Sequence, residues 1–480
     1  MSKRDLFDKF LSRFGRKGEK VGEDKASLKE KDKKKRPEKQ PDYGCVPSKF
    51  WYSFFGGVLA ASILRPAFGM KFKTDKKIKE LPGPLVIVGN HPSFIDPAIM
   101  GIKLKGRPIN FVAGDFLFRK PIFGRIIMKG GCIPKAQFRN DLRTVRAMMR
   151  VLGRGGVLGI FPEGTRFTDG RSIRFESGLA SIVKKAGATV VIFRSHGAYM
   201  TWPRWSQSSW RRGRITAEFT DVLPKEKVQE MSVEEIHRFM SERLDYNEYE
   251  YFADHPQVFK SKAPAAGIQN IANICPRCQK INTTRIADGK GDSTLPKEAR
   301  KKQNLIVCSA CGNRVIMNAR GFFEPAGPED KYFPDLHEWA KWEKKIYESE
   351  AEKEGFVLTE KVSLFKLCGE RYHAKVGEGV LTVKDGTIIY EGTECAPEDG
   401  ILYKKGKPVS KYKDRDIFAS AKQVTKTYPI AGMKGMLMDY GKFVELFEPK
   451  EGAYRYVPEN RQRLYEIQSI VMAMKDQKDS

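Results

Sequence analysis

Asn90-His91-Pro92-Ser93-Phe94-Ile95-Asp96 is the stretch on which the reading of this chain turns. A histidine followed five positions later by an aspartate supplies a general base and a carboxylate to orient it. Across one regular helix five residues turn about 500°, which leaves the two side chains about 140° apart. The pair therefore meets only if the segment is a strand end, a tight turn and then a helix start. The flanks read that way. Leu85-Val86-Ile87-Val88-Gly89 is a short apolar, β-branched run, and Pro92 bars a helix through the turn. Asp96-Pro97 reads as an N-cap residue followed by proline at the first helical position. The plainer alternative is that Asp96 only caps a helix and His91 is an ordinary loop histidine.

A second element downstream weighs against that alternative. Val157-Leu158-Gly159-Ile160-Phe161 is another apolar strand candidate, and it runs directly into Pro162-Glu163-Gly164-Thr165-Arg166. Glycine there lets backbone N–H groups approach a ligand, Thr165 adds a hydroxyl, and Arg166 offers a fork of donors matched to a phosphate. A base on one strand-to-loop element and an anion fork on another predict a shared cleft at the strand ends.

The two motifs, in this order, resemble the signature of the glycerolipid acyltransferases, above all the 1-acylglycerol-3-phosphate acyltransferases: Asn-His, four residues, Asp, and later Phe-Pro-Glu-Gly-Thr-Arg. Phe111-Val112-Ala113, Pro121-Ile122-Phe123-Gly124-Arg125 and Gly131-Cys132-Ile133-Pro134 resemble the family's middle motif, and Arg139 follows where a substrate-binding arginine is expected. Phe175-Glu176-Ser177-Gly178-Leu179-Ala180 resembles the helix start after the Glu-Gly-Thr-Arg loop. The resemblance covers about residues 80–225. It implies an α/β domain with a mixed sheet flanked by helices, and an enzyme moving a fatty acyl group to the hydroxyl of a lysophospholipid in phospholipid synthesis. The acceptor it implies is 1-acylglycerol-3-phosphate, the donor acyl-CoA or acyl carrier protein, and no catalytic metal takes part. His91 would take the acceptor's proton and Asp96 would orient the imidazole. Arg139, Glu163, Gly164, Thr165 and Arg166 would bind the acceptor's phosphate. Two positions depart from the family pattern: Gly114-Asp115 stands where many members carry lysine, and Val190-Val191-Ile192 leads to Phe193-Arg194, not to a Pro-Val pair. Arg119, Lys120 and Arg194 are nearby basic candidates to compensate.

Composition agrees with an enzyme that meets acidic lipid. The net charge is +28 over 480 residues, and a basic residue near an anionic leaflet contributes on the order of 1 kcal/mol. Residues 1–45 read as a disordered basic tail with Lys33-Lys34-Lys35-Arg36 as its densest block, and Met1-Ser2-Lys3-Arg4 opens no apolar signal segment. Leu6, Phe7, Phe10, Leu11 and Phe14 fall on one helical face and could lie along a membrane surface. Residues 46–80 are expected to associate with a membrane: Phe50 to Leu64 is apolar all round but ends at Arg65-Pro66, too short for a span of about 20 residues. A buried cover for the catalytic domain is the alternative. The expected site of action is the cytoplasmic face of a membrane.

After an acyltransferase domain over 81–260, with an edge strand from Arg214 to Phe219 and a helix from Ser232 to Leu244, the character changes. Cys275-Pro276-Arg277-Cys278 and Cys308-Ser309-Ala310-Cys311-Gly312 form two knuckles separated by 29 residues. This is the pattern of a zinc ribbon over 265–325 with Cys275, Cys278, Cys308 and Cys311 as ligands to structural zinc; disulfides or free thiols are the alternative. Eight cysteines so arranged suit a reducing compartment. Zinc ribbons also serve nucleic-acid binding, but this one is not enriched in Lys/Arg and lacks interleaved aromatics, so nucleic acid is not the expected partner. Residues 326–355 read as a linker helix bearing Trp339 and Trp342. Residues 356–480 read as antiparallel strands closed by a helix over Asn460 to Lys475, similar in pattern to a pleckstrin-homology-like domain. Lys384-Asp385-Gly386 marks its clearest hairpin.

Overall fold

The computed structural model describes residues 43–52, 62, 64–136, 141–208, 210–296, 300, 302–368, 372–404, 406–433, 435–448 and 451–479. The expected basic tail, apart from 43–45, lies outside these residues, as does most of the apolar run expected to meet a membrane (53–61 and 63). Among the described residues no helix is long and apolar enough to cross a membrane. Two compact units divide the chain. The first takes residues up to Arg166 together with Ser172–Ala198 and Arg214–Tyr246, and the second takes Phe167–Arg171, Tyr199–Gly213 and Asn247 onward.

In the first unit six short strands form one sheet: β1 (Leu85–Gly89), β2 (Asn110–Gly114), β3 (Ile133–Lys135), β4 (Val157–Ile160), β5 (Thr189–His196) and β6 (Thr216–Leu223). Their order is β3-β2-β4-β1-β5-β6. The first five run parallel, and β6 returns antiparallel along β5 as the edge. Parallel strands covered on both faces read as unbroken apolar runs, and β1 and β4 are buried throughout. Helices α1 (Asp96–Lys103), α2 (Pro121–Lys129), α3 (Leu142–Gly153), α4 (Gly178–Ala186) and α5 (Val233–Leu244) belong to the same unit. Val86, Val88, Leu158, Ile160, Val190 and Ile192 form one core with Met148, Val151, Val183, Ile236 and Met240 from α3, α4 and α5. Asp141 caps α3 by accepting from the Arg143 and Thr144 amides, and Ser232 with Glu235 closes a capping box on α5. The expected cap at Asp96 shifts by one residue. Ile95 is the N-cap of α1 and Asp96 its first helical residue, because the Asp96 carboxylate turns back to the Ser93 amide.

Within the second unit, β7 (Thr284–Ala287), β8 (Leu305–Cys308), β9 (Arg314–Met317) and β10 (Phe323–Pro325) form a four-stranded antiparallel sheet. Helix α6 (Leu336–Ala351) follows. Read from sequence as a linker, it is instead part of the core: Trp339 is 0 % exposed and meets Phe323 edge-on at 5.5 Å. The expected span of the acyltransferase domain also reaches into this unit. The short helix Glu248–Asp254 clusters here because it buries Tyr249 and Phe252 against Phe322 and Phe259. A nine-stranded antiparallel sheet then begins with β11 (Val357–Cys368), β12 (Tyr372–Lys384) and β13 (Thr387–Glu394). Between β12 and β13, Asp385 (φ 47°) and Gly386 (φ 70°) both take the left-handed conformation that a two-residue type I′ turn requires. The last helix, α7 (Arg463–Asp479), buries Leu464, Ile467, Ile470 and Val471 and sets Tyr465 against Tyr347 of α6 at 6.3 Å.

One titratable pair inside this unit gives a pH-dependent expectation. His337 Nδ1 lies 2.9 Å from Asp169 Oδ2. The bond to Asp169 raises the imidazole above its ordinary value of 6.5, against burial, with Asp335 and Glu338 adding their charges. A raised folded value means stabilisation that is fully present below the unfolded value and lost as pH rises through the folded one. His337→Gln should therefore unfold at lower denaturant than the parent near pH 6, with the difference shrinking as pH rises through the raised folded value.

Candidate active site

The two strand-to-loop elements meet because β1 and β4 are parallel neighbours, with Val88 opposite Ile160. Asn90-His91 and Phe161-Pro162-Glu163 thus leave the sheet side by side at its carboxyl edge, where ligands bind in open parallel sheets. Gly89 makes the packing possible. A Cβ there would lie 3.0 Å from the Phe161 ring, 3.0 Å from Phe193 and 3.1 Å from Met100. With that space free, the His91 ring stacks on Phe161 with centroids 4.6 Å apart and an interplanar angle of 21°. Asn90 ties the end of β1 to β5 by a reciprocal pair: its Nδ2 donates to the Ser195 carbonyl at 3.1 Å, and its Oδ1 accepts from the Ser195 amide at 3.0 Å.

His91 Nδ1 lies 2.8 Å from Asp96 Oδ2, and the same oxygen accepts from the Ser93 amide at 2.8 Å. Asp96 is 0 % exposed. Burial pushes its carboxyl well above the ordinary carboxylate range, and the Ser93 amide and the Arg166 charge pull it back. With the shared proton on Nδ1, the tautomer a carboxylate favours, Nε2 holds a lone pair and can accept a proton. That is the arrangement of a general base with its orienting acid.

Both carboxyl oxygens of Glu163 are engaged by backbone amides. The residue is 7 % exposed; Oε1 accepts the His91 amide at 3.2 Å and Oε2 the Ile173 amide at 2.9 Å. Burial pushes this carboxyl up, the two amides oppose that, and the nearby Asp96 adds to it. The Glu163 side chain therefore pins one loop to the other. Glu163→Gln presents an NH₂ group to one of the two amides whichever way it turns. This variant should lose about 1–3 kcal/mol in denaturant unfolding and slow any reaction that uses His91.

Gly164 sits at the exposed turn with φ +69°. Thr165 and Arg166 follow half-buried, with the Arg166 guanidinium 6.0 Å from the Phe94 ring centre and close enough for its charge to act on Asp96. Arg139 lies outside the described residues. Of the basic candidates near the departing positions, Arg119 pairs with Asp115 at 2.9 Å. Arg194 donates to the Arg243 carbonyl and lies over Tyr246, 5.6 Å from its ring centre, so it fastens α5 to the sheet. Lys120 is partly buried, and burial lowers its pKa. Sequence reading missed the partners that fix the histidine: Phe161, the Ser93 amide and the Asn90–Ser195 pair. Asparagine directly before the histidine was the available signal.

In the second unit Cys275, Cys278, Cys308 and Cys311 come together, all four Sγ atoms within 4.8 Å of one another. Cys275 lies 3.6 Å from Cys311 and Cys278 3.7 Å from Cys308. A tetrahedral ion with metal–sulfur bonds of about 2.3 Å has sulfur–sulfur edges of about 3.8 Å. The four thiols therefore fit such an ion, with every coordination position taken by protein.

Residues 70–194 match the family model described as Acyltransferase, so this stretch is an acyltransferase-family domain. Among curated proteins, a 1-acyl-sn-glycerol-3-phosphate acyltransferase of Chlamydomonas reinhardtii is 32 % identical over 146 residues, 30 % of this chain and 43 % of that protein. A chloroplastic 1-acyl-sn-glycerol-3-phosphate acyltransferase of Arabidopsis thaliana is 26 % identical over 167 residues, 34 % of this chain and 46 % of that one. The chain thus spans less than half the length of these two relatives. The crystal structure of the 1-acyl-sn-glycerophosphate (LPA) acyltransferase PlsC from Thermotoga maritima aligns over 43 % of this chain and 80 % of that one, with 18 % identity and a TM-score of 0.36.

Proposed function

We propose that this protein transfers a fatty acyl group from an acyl thioester, on coenzyme A or acyl carrier protein, to the hydroxyl of a lysophospholipid. 1-Acylglycerol-3-phosphate is the first acceptor to test. His91 Nε2 takes the hydroxyl proton as the oxygen attacks the thioester carbonyl. The tetrahedral intermediate collapses to the ester, and the departing thiolate takes the proton from the imidazolium and leaves as thiol. Asp96 holds Nδ1–H and stabilises the cation that forms. Arg166 and Arg139 hold the acceptor's phosphate, Gly164 and Thr165 shape the turn around it, and Glu163 fixes the two loops together. The reading rests on one observation: an imidazole held at 2.8 Å by a buried carboxylate on the same sheet edge as an arginine whose field reaches that carboxylate.

The basic surface fits work at an anionic, cytoplasmic membrane face, to which residues 46–80 would hold the protein. Cys275, Cys278, Cys308 and Cys311 would bind a structural zinc ion as a zinc ribbon, supplying rigidity and no chemistry. Residues 356–480 would form a β domain of pleckstrin-homology-like pattern. The deciding experiment is acyl transfer by the purified full chain, with labelled acyl-CoA or acyl carrier protein and a panel of lysolipids. Labelled phosphatidate is the expected product; no transfer to any lysolipid from either donor would end the reading.

A further inference from the structure

Helix α6 reaches the first cysteine knuckle with three side chains from one face. Trp339, Glu343 and Tyr347 stand four residues apart, and such residues stack along one side of a helix. All three are 0 % exposed. Trp339 Nε1 donates to the Ile274 carbonyl at 3.0 Å, and Glu343 Oε1 accepts the Ile274 amide at 2.7 Å. Both polar groups of the residue directly before Cys275 are thus held by the helix. The Tyr347 hydroxyl donates to Asn273 Oδ1, one residue further back.

The second knuckle is supported differently. Cys308 ends β8, its amide donates to the Asn313 carbonyl at 2.9 Å, and Asn313 exchanges two 2.8 Å bonds with Lys331. Ser309 adds a bond from its amide to the Thr283 carbonyl at 2.8 Å. Cys275 and Cys278 have no strand of their own, since β7 starts only at Thr284. Beyond the turn's own bonds, with the Cys275 amide donating to the Lys280 carbonyl at 3.2 Å, the α6 stripe takes the place of a strand, at the cost of a Glu343 Oε2 atom that is buried without a hydrogen-bond partner among the described residues.

We infer that α6 is the outer support of the metal centre: it holds the first knuckle in ligand geometry, so that metal affinity and docking of α6 are one linked equilibrium. The inference rests on the proposed metal site. Outer supports that orient metal ligands typically change metal affinity by about 10–100-fold when lost, and these act on the residue next to Cys275. Linkage is reciprocal, so a bound ion must in turn tighten the helix.

The test uses the full chain, stripped of metal under reductant and titrated with zinc against a chromophoric chelator. Glu343→Ala should bind zinc about 10–100-fold more weakly than the parent. Glu343→Gln, which keeps an acceptor for the Ile274 amide, should recover most of that loss. Lys345→Ala, on the exposed side of α6, should leave affinity unchanged. Zinc should slow amide hydrogen exchange along α6 in the parent and do so less in Glu343→Ala. Parental affinity in a folded Glu343→Ala would overturn the inference while leaving the metal site standing. If that variant does not fold, Trp339→Phe, which removes only the indole donor to Ile274, carries the same test: weaker zinc binding supports the inference and parental binding overturns it. A parent chain that takes up neither zinc nor cobalt(II) would sink the metal site itself, a result separable from any difference between variants.

Discussion

Replacing His91 by alanine is expected to lower acyl transfer by at least 10²–10⁴-fold, about 3–5 kcal/mol of transition-state stabilisation, with the fold retained. The loss should fall on kcat, since the imidazole accepts its proton only as the reaction proceeds, and KM for both substrates should change little. The variant also leaves the fully buried Asp96 with only the Ser93 amide as a described hydrogen-bond partner. It should therefore unfold at somewhat lower denaturant than the parent while keeping the parent's circular dichroism. Initial rates with labelled acyl donor, alongside a denaturant titration, give both readings. Near-normal turnover in a folded His91→Ala protein would remove the mechanism.

Removing the proposed metal, or one of its ligands, should have the largest structural effect. One buried apolar cluster on this sheet is small: Leu295, Leu305 and Ile316, with Ala287, Val307 and Ala326 partly buried around them; Ile306, Val315, Met317 and Phe323 are buried as well. Binding in four-thiolate modules is worth roughly 10–16 kcal/mol and is folding energy there. Cys308→Ser should therefore lose zinc on elemental analysis and expose the segment 265–325 to limited proteolysis. Metal stripping under reductant should reproduce this, and added zinc should reverse it. Equal protease resistance with and without zinc would contradict the expectation.

How much of this was legible in the sequence depended on whether the signal was local. The strands at Leu85–Gly89 and Val157–Ile160 stood out because parallel strands buried on both faces must be apolar throughout. The Ser232 helix start and the Asp385-Gly386 hairpin were readable because caps and tight turns are written in adjacent residues. The meeting of His91 with Asp96 was readable because one turn joins them. Partners distant in sequence were not. Nothing local says that Asn90 faces Ser195, 105 positions on, or that Arg194 is taken up by α5. The charged helix Leu336–Ala351 read as a linker because lysines and glutamates are frequent in it. Its buried stripe of Trp339, Glu343 and Tyr347 acquires meaning only beside the knuckle it touches.

The imidazole of His91 is fastened by its ring face to Phe161, by Nδ1 to Asp96 and by its backbone to Glu163. Such a ring cannot swing out to find its target. Discrimination among acceptors then becomes a matter of reach. On the proposed function, the span from an acceptor's anionic group to its free alcohol would have to suit a base that does not move, and analogues one methylene longer or shorter should react more slowly even when they bind well.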